Sequence, residues 1–168
     1  MYKKLLERRS VRKYKPEQIS EELLDAVLEA GLYAPTAKNN QKPVMVAVRD
    51  KETRDLLSRI NAEIMDVETD PFYGAPCVIV VLADPDMPTW IDDGSLVLGN
   101  MMNAAAALGL GSCWINRARQ TFDRPEGKAL LEKWGLPERY RGVGNCILGY
   151  AADTPKASPR KEGRIVKV

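Results

Sequence analysis

The sequence predicts one domain of mixed α and β structure, with helices alternating with strands around a covered sheet. Three observations carry that expectation. Amphipathic segments at helical spacing alternate with short apolar runs along the chain, without internal repeat. One run, Cys77-Val78-Ile79-Val80-Val81-Leu82-Ala83, is apolar on both faces, as a strand at the centre of a sheet must be. The 168 residues, 45% hydrophobic and 29% charged, suffice for one sizeable core and are short for two.

Taken in order, Tyr2–Glu7 is a short amphipathic helix that gives way to extended chain at Arg8-Arg9-Ser10-Val11-Arg12. After Pro16, Ser20 caps a second helix whose apolar face is Leu23, Leu24, Val27 and Leu28, and Gly31 helps to stop it. Ala34–Pro43 is a loop rich in side-chain amides, Val44–Val48 a strand, and Arg49-Asp50-Lys51 a turn. Glu52–Val67 is a helix with Leu56, Leu57, Ile60 and Ile64 facing inward; Asp70–Pro76 is a loop with two aromatics. Trp90–Leu108 is an Ala- and Met-rich helix with so little polar surface that it must be buried nearly all round, in the core or against a second subunit. For one domain of this size the subunit interface fits better. Gly109 and Gly111 lead into a strand at Ser112–Asn116, Phe122–Trp134 is a helix ended by Gly135 and Pro137, and Gly142–Tyr150 is the last strand. Residues 155–168 form a basic tail within a single 1–168 domain.

Composition removes several functions. The formal net charge is +2, too even for a nucleic-acid surface. There is no histidine, so a Ser-His-Asp triad, a Cys-His dyad and His-rich metal sites are impossible. Cys77, Cys113 and Cys146 sit in apolar runs with no Cys-x-x-Cys pair, which argues against zinc and iron–sulfur sites and for buried thiols in a cytoplasmic protein. No apolar run approaches a membrane span, and no signal peptide is expected. Gly142-Val143-Gly144 precedes a strand instead of following one, so a dinucleotide fingerprint fails on context. An enzyme of this composition needs an organic cofactor to carry its reaction.

Three sets of residues are candidates for a site. Arg8, Arg9, Arg12 and Ser10 offer forked donors and a hydroxyl suited to a phosphate monoester, and equally a solvated basic surface or a nucleic-acid arm. Asn39 and Gln41 can each donate and accept, as the mixed edges of a planar heterocycle require, or they can serve the turn alone. Phe72 and Tyr73 could line a pocket for an aromatic substrate or plug a gap.

Four of these segments together resemble the FMN-dependent nitroreductases: Arg8-Arg9-Ser10-Val11-Arg12, then Ala34-Pro35-Thr36 with Asn39 and Gln41, then Gly109-Leu110-Gly111-Ser112-Cys113-Trp114-Ile115, and finally Leu148-Gly149-Tyr150. Their order and separation, rather than any one of them, carry the likeness. It spans about Tyr2 to Lys161 and favours the phosphate reading of the opening arginines. The resemblance implies an α+β fold of three layers, α/β/α, with a mostly antiparallel mixed sheet between helices, assembled as a homodimer. It implies that Arg8, Arg9, Ser10 and Arg12 hold the FMN phosphate and ribityl chain, that Arg8 and Arg9 also reach the pyrimidine side, and that Arg160 and Lys161 close over the phosphate. Pro35, Thr36, Ala37, Asn39 and Gln41 match a loop that reaches the flavin from the partner subunit. Trp114, Ile115 and Asn116 match the strand end beside the isoalloxazine. Phe72, Tyr73 and Arg117 remain the expected substrate-pocket residues.

The implied activity passes a hydride from NADH or NADPH through flavin N5 to a small-molecule acceptor such as a nitroaromatic or quinone, with no catalytic side chain, no metal, no nucleic acid and no membrane. A narrow acceptor (an enone, a quinone or free flavin) and a non-catalytic flavin-binding protein are the alternatives. Three departures from the family pattern stand out: Lys42-Pro43-Val44 after Gln41 where Pro-Trp is usual, Asn116-Arg117 where Glu-Gly or Gly-Gly is usual, and a short chain that suggests fewer helices over the pocket.

Overall fold

The computed structural model describes residues 2–168; Met1, the first residue of the expected domain, lies outside the described residues. In chain order the elements are helix α1 (Tyr2–Glu7), helix α2 (Glu21–Leu32), a single 3₁₀ turn (Ala37–Asn39), strand β1 (Val44–Val48), helix α3 (Lys51–Met65) and strand β2 (Cys77–Ala83). Helix α4 (Trp90–Ala107), strand β3 (Gly111–Ile115), helices α5 (Ala118–Asp123) and α6 (Pro125–Lys133), and strand β4 (Arg141–Gly149) complete it. The strands form one sheet in the order β1-β2-β4-β3, and every pairing between them is antiparallel.

β2 is buried at every position, in the interior of the sheet as its two apolar faces require. Its alternation divides the core in two. Cys77, Ile79 and Val81 pack with Leu24 and Val27 of α2 and Val97, Leu98 and Met101 of α4. Val78, Val80 and Leu82 face the other way, onto Leu57 of α3, Phe122 of α5 and Leu131 of α6. The result is the three-layer arrangement, with α2 and α4 on one face and α3, α5 and α6 on the other.

Local signals fix most ends. Ser20 Oγ accepts from the Leu23 N–H at 3.3 Å to cap α2, and Asp50 caps α3 by accepting from the Thr53 N–H at 2.8 Å. Asp66 then ends α3 in the left-handed region at φ 55°. The helix expected over Phe122–Trp134 is two helices. Pro125 disfavours helical backbone at the residue before it, so Arg124 is extended (φ −84°, ψ 158°) and the chain starts again with proline in the first turn of α6. Within one chain, α4 turns Val97, Leu98, Met101 and Ala105 to the core and leaves Leu96 exposed.

Candidate functional site

α1 ends where Arg9 folds back on it, its Nη1 donating to the Leu6 carbonyl at 2.7 Å and the Arg8 carbonyl at 2.8 Å. Cationic donors to the open carbonyls at a helix end fix where the chain leaves it. From there the chain runs beside β3: the Val11 N–H donates to the Ser112 carbonyl at 3.0 Å, and Ser10 bridges Ser112 in parallel. Val11 is buried against Gly111, where an added Cβ would stand 3.0 Å from Val11 Cγ1. Alternate residues of extended chain share a face, so Ser10 and Arg12 project away from that buried side. The Lys15 N–H donates to the Tyr150 carbonyl, and the Ala152 N–H to the Lys13 carbonyl, both at 2.9 Å, joining the segment to the end of β4.

Arg8 and Arg9 line a cleft of about 200 Å³ with Val11, Leu110, Asp153 and Thr154. Arg8 Nη1 is buried and has no hydrogen-bond partner among the described residues. A buried guanidinium nitrogen left unpaired costs free energy, so this position suits an acceptor oxygen brought by a ligand. Arg12 is exposed, and its guanidinium lies 5.8 Å from the centroid of the Tyr73 ring. Arg160 and Lys161 are not brought to this cleft within one chain. They line a separate hollow with Glu162, Gly163, Arg164 and Ile165, because the chain beyond Pro155 is exposed and forms no helix or strand that would dock it on the sheet.

The loop carrying Pro35, Thr36, Ala37, Asn39 and Gln41 is held by a residue the sequence reading passed over. Asp93, 3% exposed in the first turns of α4, accepts from the Ala37 N–H at 3.0 Å, Asn40 Nδ2 at 2.8 Å and Thr89 Oγ1 at 3.1 Å. Burial alone would raise the Asp93 carboxyl; the three donors outweigh it and hold the group below the ordinary aspartate value of 3.8. The Gln41 N–H donates to Thr36 Oγ1 and Gln41 Nε2 to Asn39 Oδ1, each at 3.0 Å. Lys38, Asn39 and Gln41 all have φ between 51° and 53°. Left-handed backbone at three non-glycine residues persists only where the surroundings over-determine it, as Asp93 and Thr36 do here.

At the end of β3, Trp114 is 45% exposed on the sheet face that carries α4, and Ile115 turns the other way into the core. The indole lies over Gly144, where an added Cβ would come within 2.4 Å of Trp114 Nε1. Asn116 is exposed, its carbonyl accepting from Asn61 Nδ2 at 2.8 Å and its Oδ1 from the Arg117 N–H at 2.7 Å. That bond accompanies a left-handed Arg117, φ 76°, at the start of α5. Phe72 corrects the pocket expectation: it is 1% exposed among Leu57, Ala75 and Val78, a core plug, while Tyr73 beside it is open to solvent. Among the described residues no group of three or more His, Cys, Asp or Glu could hold a metal ion, and no helix is long and apolar enough to cross a membrane.

An antiparallel sheet between two helical layers, with a basic segment laid on its β3 edge and a strained polar loop pinned to α4, defines an α+β protein equipped to hold a small anionic ligand. The chain belongs to the nitroreductase family: the model of that family matches residues 5–150. It is 34% identical over 157 residues, 90% of this chain and 85% of the relative, to an Archaeoglobus fulgidus protein whose name proposes an NADH dehydrogenase/NAD(P)H nitroreductase. It is 27% identical over 175 residues to a Bacillus subtilis FMN reductase [NAD(P)H], covering 94% of this chain and 68% of that one. A Bacteroides fragilis nitroreductase solved with bound FMN superposes with a TM-score of 0.92 at 32% identity, covering 99% of this chain and 97% of that one.

Proposed function

We propose that this protein is an FMN-dependent oxidoreductase that draws reducing equivalents from NADH or NADPH and passes them to a small-molecule acceptor, such as a nitroaromatic or a quinone. The single observation that carries the reading is the buried, unpartnered Nη1 of Arg8, a residue that lines a cleft with Arg9. FMN brings acceptor oxygens on its phosphate, ribityl chain and pyrimidine edge, any of which would satisfy that donor. The FMN bound by the Bacteroides fragilis nitroreductase and the activity named for the Bacillus subtilis reductase support it.

When bound, FMN supplies the hydride relay between donor and acceptor. The chain's own residues bind and orient. Arg8, Arg9 and Arg12 neutralise the anionic groups, Ser10 adds a hydroxyl donor, and Trp114 with Asn116 offers an exposed strand end for a ring to lie beside. Pro35, Thr36, Ala37, Asn39 and Gln41 form a pre-shaped amide loop contributed from a partner copy. Arg160 and Lys161, remote from the Arg8 cleft of their own chain, would reach an anion only by closing over it from elsewhere in the assembly. No proton transfer by a side chain is required, which suits a sequence without histidine.

The homodimer belongs to the same proposal. An apolar groove of about 700 Å³ runs between α1, α2 and α4, bordered by Leu5, Ala30, Tyr33, Ala104 and Ala107. Tyr33 is exposed on its edge, and a second copy laid on this groove would cover it. We also place the protein in the cytoplasm as one domain, because three free, buried thiols suit a reducing compartment.

The test is spectroscopic. Purified protein reconstituted with FMN should be yellow, run as a dimer on a sizing column, and bleach when NADH or NADPH is added without oxygen. Arg8→Met, which keeps bulk and removes the donor, should lower FMN affinity by about tenfold or more, the loss of one charge-assisted bond. A parent protein that stays colourless with excess FMN would end the proposal.

A further inference from the structure

The loop Asp70–Pro76 holds an aromatic residue in a backbone conformation that bulky side chains avoid. Tyr73 has φ 53°, in the left-handed region, beside Gly74 at φ 68°. Asp70 enforces it. Its carboxylate accepts from the Phe72 N–H at 2.8 Å, the Gly74 N–H at 2.7 Å, Ser58 Oγ at 2.5 Å and Arg54 Nη2 at 2.5 Å. Arg54 Nε also donates to the Ala75 carbonyl at 3.1 Å, and its guanidinium lies 5.6 Å from the centroid of the core-buried Phe72 ring. Both sides of Tyr73 are therefore fixed, and its ring, 43% exposed, is presented outward with the Arg12 guanidinium 5.8 Å from its centroid. An aromatic face orients a cation without neutralising it, whereas a carboxylate in the same place would cancel the charge that an anionic ligand needs.

Resting on the flavin reading above, we propose that Tyr73 is a positioning residue: the Asp70 hub strains it into the left-handed region so that its ring holds Arg12 ready for the anionic part of FMN. The cost in backbone strain is repaid as ligand affinity, so stability and binding should respond in opposite directions at this one position.

The experiment compares parent, Tyr73→Gly and Tyr73→Phe in the full chain. Flavin fluorescence quenching gives the FMN dissociation constant, and circular dichroism gives the melting midpoint of each apoprotein. Glycine relieves the strain and removes the ring. Tyr73→Gly should therefore weaken FMN binding by about fivefold to tenfold while its apoprotein melts no lower than the parent's. Tyr73→Phe keeps the ring and should bind within about twofold of the parent. In an Arg12→Ala background, Tyr73→Gly should weaken binding no further. Unchanged affinity in Tyr73→Gly, equal losses in Phe and Gly, or weaker binding together with a lower melting midpoint would each overturn the inference. A parent that takes up no FMN fails at the first titration, which marks the failure of the flavin reading itself and overturns both.

Discussion

Replacing Asp93 by asparagine removes the anchor of the Pro35–Gln41 loop while keeping its shape. The carboxylate accepts three hydrogen bonds from Ala37, Asn40 and Thr89. With its oxygen in the place of Oδ2 the amide still accepts from Asn40 and Thr89, though without charge, but its NH₂ then faces the Ala37 N–H and leaves that donor unpaired at a site 3% exposed. At about 1.5 kcal/mol for the unpaired buried N–H and about 0.7 kcal/mol for each of the two bonds that lose a charged acceptor, Asp93→Asn should cost about 3 kcal/mol. For a domain of this size that lowers the melting midpoint by about 6–12 °C, measured on the apoprotein by far-ultraviolet circular dichroism. Acid gives an independent arm. The folded Asp93 carboxyl sits below its ordinary 3.8, so its contribution is whole above that value and is lost as pH falls from there toward the depressed folded value. The parent should therefore lose stability more steeply than Asp93→Asn across that window. A variant within about 1 kcal/mol of the parent, or parallel acid profiles, would refute the anchoring role.

Three further expectations can be checked with the same instruments. Gly144→Ala places a Cβ 2.4 Å from Trp114 Nε1 and 2.8 Å from Leu98 Cδ1, so it should cost about 1–3 kcal/mol and shift tryptophan emission; an unaltered melt and spectrum would count against it. Asp66→Gly should stabilise the domain by about 0.5–1 kcal/mol in urea unfolding, because glycine adopts the left-handed φ of 55° at the end of α3 without steric cost. Burial pushes the Cys77 and Cys146 thiols up to about 12, and Cys113 is buried as well. A disulfide reagent at pH 8 should leave all three unmodified in the native protein and titrate them in denaturant.

The parts of the fold that were legible are those encoded by local periodicity. The buried strand Cys77–Ala83, the cap at Ser20 and the long helix from Trp90 announce themselves because apolar spacing and short polar caps act within a few residues. The division of Phe122–Trp134 was also written locally, in Arg124-Pro125, and only the stronger apolar pattern around it obscured the break. Asp93 left a fainter trace: it stands four, eight and twelve residues before Val97, Met101 and Ala105, on the stripe that α4 buries. An acidic residue on a buried stripe requires partners, but nothing in its neighbourhood names Ala37 and Asn40, which lie 56 and 53 residues away. The meeting of the two basic ends at one anion is not written in any local signal, since charge alone does not say which surfaces a tail can dock on, and within one chain Arg160 and Lys161 lie apart from the Arg8 cleft.

By itself, the sequence determined most of the elements, the central strand, the exclusion of histidine-based chemistry and the clustering of Arg8, Arg9, Ser10 and Arg12 within five residues. Those follow from residue types and short spacings. Only the tertiary structure decided that Arg8 keeps a buried donor unpaired, that Asp93 shapes the amide loop, that Phe72 fills the core and that Tyr73 faces Arg12. Each of these depends on groups distant in sequence meeting at hydrogen-bond or van der Waals range, and that meeting is set by how the two helical layers close on the sheet.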